Sequence, residues 1–283
     1  LNFHHESVTV SRTRGAAPRR DPGGAFMQAQ IIGSVLPVLE LLINPGEKIV
    51  AETGQLSWMT AGIELNTTHA TAGASSFFGA VGRALSGGGL FMTEYAAPYQ
   101  QGVVAFAAKI PGHIAEVEVL PGRGYMIHKH GFLCATEGVS VTTGFQQSLG
   151  AGIFGGNGFL MQRMSGACRA WVELGGEVIA RELAPGETLR VHPGHVGMFE
   201  ESVGFNITMM RGIRNIFFGG DGLFLAELTG PGKIWLQTMT LPNLAHALAP
   251  YMGGGDNGAG GQSIETAAEL GVAGAVLKSF FNR

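Results

Sequence analysis

The chain is poor in charge. Lys and Arg number 18 and Asp and Glu 21 among 283 residues, a charged fraction of 14% against roughly 25% in an ordinary domain. The net charge of −3 leaves no global basic field to attract nucleic acid. Cysteine is scarce as well. Cys134 and Cys168 are the two present, too few for a disulfide framework and without the spacing of a zinc ribbon. No run of 18 apolar residues occurs, so a standard transmembrane helix is excluded. No Walker lysine follows the glycine runs, and no Gly-x-Ser-x-Gly elbow is present, which removes the usual signatures of phosphate-loop and serine-hydrolase chemistry.

Glycine is abundant, with 46 residues, more than twice the usual ~7%. No Gly-X-Y period accompanies it, so collagen is excluded. The glycines punctuate short apolar runs instead. Pro45-Gly46, Pro121-Gly122 and Pro185-Gly186 each close an alternating run, VLELLI, IAEVEVL and VIARELA. Proline at the second and glycine at the third position of a tight turn fits the type II geometry, in which the third residue needs positive φ. A second marker recurs: glycine runs around Gly89, Gly158 and Gly222 each lead into an apolar strand pattern. Pro121 to Pro185 and Gly158 to Gly222 are both 64 residues apart, so two independent markers share one period.

These repeats imply an all-β fold of three pseudo-repeated units, at 38–108, 113–176 and 177–240, within a single triplicated domain spanning 28–249. Period-2 alternation, β-branched and aromatic residues and frequent Gly and Pro breaks carry the strand assignment. Helices are few and short, with candidates at 75–85 and 241–248. A unit of some sixty residues buries little surface alone. The three are therefore expected to pack side by side, and a closed ring of repeats or of protomers would hide their unpaired edges.

The ends differ from this body. Residues 1–27 hold Arg12, Arg14, Arg19 and Arg20 without apolar periodicity and read as a disordered leader, an upstream extension with Met27 as a candidate start. An arginine-rich, acid-poor leader also resembles an organellar transit peptide. The expected location is cytoplasmic, or mitochondrial if the leader is such a peptide. Residues 250–262 form a Gly-rich linker. Residues 263–283 read as a short helix capped by Ser263, with Glu265 and Glu269 early and Lys278 late. Its apolar residues suit docking on the protein's own body, or weak contact with a membrane surface.

The stretches LLINPGEKIVAETGQLSWM, GAGIFGGNGFLMQRMSG, LAPGETLRVHPGHVGMFE and FFGGDGLFLAELTGPGKIWLQTMTLPNLA resemble the altered inheritance of mitochondria protein 24 family, with similarity over roughly 28–250. The resemblance implies a β-sandwich related to the tryptophan RNA-binding attenuator protein, a shortened double-stranded β-helix repeated three times. It also implies a homotrimer forming a nine-unit ring. It carries no catalytic residues and no cofactor, and its mitochondrial member is associated with inner-membrane organisation. RNA binding by the distant ring-forming relative does not follow, because fold does not imply function.

The candidate chemistry is sparse. His128 and His130 are two apart and so share one face of a strand. With Glu137 they make a candidate metal shell of two imidazoles and a carboxylate, similar to that of the cupins. The carboxylate is displaced, since Cys134 and Ala135 stand where a cupin expects it. His192 and His195 form a second pair in the next unit. Cys134 and Cys168 read as small packing residues. Glu94, Arg163 and Glu227 occupy similar places in successive units, where opposite signs suit salt bridges between units. The favoured function is a non-enzymatic structural or interaction protein, a ring-forming homo-oligomer, with itself and an unidentified protein as partners. The competing readings are a cupin-like metal enzyme using His128 and His130, and a peripheral membrane organiser acting through the tail.

Overall fold

The computed structural model describes residues 27–69, 91–147, 159–210 and 223–248. Residues 1–26 of the leader, the linker and tail, the candidate helix at 75–85, and Gly89, Gly158 and Gly222 lie outside them, whereas Met27, assigned to the disordered leader from the sequence, is buried in the first core.

The described residues are almost entirely β. Strand β1 (Gln28–Ile32) is followed by eighteen strands in three sets of six. The first set is β2 (Val38–Ile43), β3 (Lys48–Glu52), β4 (Trp58–Met59), β5 (Glu64–His69), β6 (Phe91–Ala96) and β7 (Gly102–Ala107). The second is β8 (Gly112–Val119), β9 (Tyr125–His128), β10 (Phe132–Thr136), β11 (Val139–Gln147), β12 (Phe159–Gly166) and β13 (Cys168–Gly175). The third is β14 (Val178–Leu183), β15 (Thr188–Val191), β16 (Val196–Glu200), β17 (Gly204–Met210), β18 (Leu223–Thr229) and β19 (Gly232–Gln237). Helix α1 (Leu241–Leu248) follows.

Pairing is antiparallel and recurs from set to set. The sixth strand lies between the first and third, and the fifth between the second and fourth. The sets are then stitched together by strands. β3 pairs with β10, and β9 with β16. Two six-stranded sheets result, β5-β6-β3-β10-β13-β8 and β11-β12-β9-β16-β19-β14. At the two ends remain a four-stranded sheet, β1-β2-β7-β4, and a three-stranded sheet, β15-β18-β17.

The turns follow from local chemistry. In Asn44–Glu47, Leu120–Arg123 and Ala184–Glu187 the last N–H donates to the first carbonyl at 2.9, 2.9 and 3.0 Å. Gly46, Gly122 and Gly186 hold φ of +88°, +74° and +78°, a conformation that proline before and glycine within make inexpensive. Glu47 and Glu187 reach back to accept from the backbone N–H of Asn44 and Ala184.

Alternation places one face of each strand inside. Leu39, Leu41 and Ile43 of β2 are fully buried, packed with Ile49, Tyr95 and Phe106. A second core gathers Val117, Ile127, Phe132 and Val172, and a third Val196, Phe199, Ile207 and Leu228. Each outer core borrows from the middle set: Leu133, Cys134 and Trp171 enter the first, and Phe159 and Met161 the third. The sets therefore share their interiors rather than touching at their surfaces.

Candidate functional site

His128 closes β9, and its Nε2 is 2.8 Å from the backbone oxygen of Glu173. A ring nitrogen beside a carbonyl must carry the proton, so Nε2 donates and the neutral tautomer is fixed. Burial lowers the pKa of His128, and the carbonyl contact offsets this in part. His130 sits on the following turn, open on its outer side. Burial of its inner side, then Lys129, His128 and Lys109, bring its pKa down to about 4. Glu137 lies past the far end of β10, where its carboxylate is 3.6 Å from Lys48 Nζ. It stands seven positions after His130 along mostly extended chain, roughly 23 Å at ~3.3 Å per residue. The structure thus does not bring Glu137 to the histidines, and among the described residues no group of three metal-ligating side chains converges.

His192 and His195 meet edge to face at 5.8 Å, and His195 Nδ1 lies 2.8 Å from the Gln237 carbonyl. Both cysteines are buried and free. Burial raises the Cys134 thiol well above its ordinary range and pushes Cys168 up to about 11, which keeps both protonated and unreactive at neutral pH.

A buried acid that the sequence pattern does not single out holds the connection between the first two sets. Glu173 Oε1 accepts from the N–H groups of Lys109 and Ile110 at 2.7 and 3.1 Å. Its Oε2 is buried without a partner, and burial raises its pKa. A groove of about 330 Å³ at the second junction is lined by Glu118, Arg123, Tyr125, Glu200, Glu201 and Ser202. Two of its three acids are engaged: Glu201 with Arg163, and Glu200 with the Lys233 N–H at 3.0 Å.

Charge does cross between sets. Glu94, Arg163 and Glu227 stand opposite Val50, Met126 and Arg190 on the neighbouring strands and are thus equivalent. Lys48 of the first set holds Glu94 at 3.2 Å and Glu137 of the second at 3.6 Å, while Arg163 of the second holds Glu201 of the third.

The remaining distinctive feature is at the ends. Among the described residues β4 has no strand beyond it on one side, and neither has β15. In the interior, the counterparts of these strands face each other. The third strand of one set, β10 or β16, pairs with the second strand of the set before, β3 or β9. Among the described residues β4 is a third strand with no set before it, and β15 a second strand with no set after it. Exposure follows: Phe132 through Ala135 and Val196 through Phe199 are buried, whereas Ser57, Trp58 and Thr60 are exposed. A faint sequence signal marks the equivalence, since Trp58, Cys134 and Met198 each stand thirteen residues after a turn proline.

Residues 29–239 match the family described as mitochondrial biogenesis AIM24. An uncharacterised protein of Streptococcus pyogenes serotype M6 is 25% identical over 219 residues, covering 76% of this chain and 87% of that protein. A crystal structure of a Streptococcus pyogenes protein superposes with a TM-score of 0.64 at 22% identity, over 80% of this chain and all of that one, which is a likeness of fold. With the family matched over most of its length, the chain belongs to the AIM24 family.

Proposed function

We propose that this protein is a non-enzymatic structural or interaction protein, a scaffold that assembles head to tail into a ring of its own copies. One observation carries the reading: among the described residues the row of sets ends in two unlike strand edges, β4 and β15, whose internal counterparts bind each other twice. An interface between unlike edges of identical chains is heterologous, and it closes into a ring or grows into a filament. Three copies making nine sets, in the manner of the attenuator-protein rings, is the number that the family resemblance implies. The polar groups agree with a structural role, because His128, His195 and Glu173 are tied to backbone groups.

Light scattering on the size-exclusion peak at tens of micromolar tests this. The expected mass is three times the chain mass of 29.6 kDa. A peak at the mass of one chain overturns the reading.

A further inference from the structure

Resting on that head-to-tail reading, we infer that copies join in one particular register, with Trp58 of one copy seated against Val191 of the next as the apolar anchor of the contact. The pairings fix the register. Trp58, Cys134 and Met198 lie opposite Ala105, Trp171 and Trp235 on the sixth strands and are therefore equivalent. Across the internal junctions Cys134 faces Ala51 and Met198 faces Ile127. Ala51, Ile127 and Val191 each stand six residues after a turn proline. Carrying the pattern one step further puts Trp58 opposite Val191, Met59 opposite Arg190 and Thr60 opposite Leu189 of the next copy.

Burial argues for an occupant at this position, and continuity with the internal junctions argues that it is a second copy. Cys134 and Met198 are 0% exposed, whereas Trp58 is 48% exposed. Its indole Nε1 donates to Glu40 Oε1 at 3.1 Å, which holds the ring in place before any partner arrives. Large aromatic side chains held in this way are the usual anchors of interfaces.

The contact also differs in kind from the two internal junctions. Those carry a carboxylate sixteen residues after the turn proline, Glu137 or Glu201, and that carboxylate bridges to a cation of the preceding set. The same position in the first set is Ala61, which offers no charge. Arg190 and Glu227 pair within their own set at 2.9 Å. Strand pairing and the indole therefore hold the copies together without an ionic clamp, and the contact resists salt.

The test uses the full chain with Met59→Cys and Arg190→Cys together, mildly oxidised and run without reductant. Directly opposed residues on antiparallel strands have Cα separations that accept a disulfide, and the native thiols are buried. The expected result is covalent dimers and trimers from this pair, and little from the shifted pair Met59→Cys with Val191→Cys. Trp58→Ala, with its circular dichroism unchanged, is expected to weaken assembly about thirtyfold, and 1 M NaCl is expected to leave the wild-type assembly intact. Linking favoured by the shifted pair, an oligomer indifferent to Trp58→Ala, or dissociation in salt overturns the inference while a ring still stands. A wild-type protein that is monomeric overturns the ring itself.

Discussion

A carboxylate with one oxygen satisfied and the other buried bare makes Glu173 a pH-sensitive residue of the interior. Folding raises its pKa through burial. The native state therefore loses stability as pH climbs from the unfolded carboxylate value of about 4.3 through the raised one, and keeps that stability only below this window. The third set has already replaced the acid. Gln237 occupies the equivalent place, accepting from the Gly175 N–H at 3.0 Å and donating to the Gly194 carbonyl at 3.0 Å. Glu173→Gln is expected to raise the melting temperature at pH 7.5 by about 2–4 °C, the shift that roughly 1 kcal/mol brings in a large domain. The gain should vanish toward pH 4, and a thermal melt series across pH reads it. A gain that stays constant with pH would place its origin elsewhere. Trp171, fully buried where the first two sets share a core, carries a larger burden. Trp171→Ala is expected to cost about 3–5 kcal/mol in denaturant unfolding, from lost transfer energy and the cavity left behind.

Two glycines separate two reasons for having glycine in a strand-rich element. Gly46 has open space around a Cβ but φ of +88°, so Gly46→Ala is expected to cost about 1–2 kcal/mol through backbone strain alone. Gly112 has no such strain. It faces Gly175 across the β8–β13 ladder, and a Cβ there would run into the Leu174 carbonyl oxygen. Gly112→Ala is expected to cost about 3 kcal/mol, and chemical denaturation of the two variants ranks them. Strands such as β2 were legible because alternation is a one-dimensional signal: VLELLI reads as a half-buried strand, and its Leu39, Leu41 and Ile43 are the buried side. β1 was not legible, because most of its residues are exposed and it exists through its ladder to β2. The site shows the same division. His128, His130 and Glu137 are close in sequence, yet an intervening strand carries the acid away from the imidazoles. The role proposed for Trp58 comes into view only from the fold, in which β4, among the described residues, lacks the neighbour that β10 and β16 possess.

At the scale of the whole molecule, the stitching strands matter more than the charges that accompany them. Arg163 is more than half exposed, and exposed ion pairs contribute little. Arg163→Ala is expected to change unfolding free energy by less than about 1 kcal/mol, measured in urea at low salt, whereas breaking the β9–β16 ladder would open two shared cores at once. The three sets therefore unfold as one cooperative body, and a single calorimetric transition is the expected signature. The two ends of the row have a further consequence, because they are different from each other. In the proposed ring, a chain crippled only at Trp58 would still offer an intact Thr188–Val191 strand to a healthy neighbour. Co-expressed with the normal protein, such a chain would join growing arcs and terminate them, so that a minority of defective subunits suppresses closure out of proportion to its abundance.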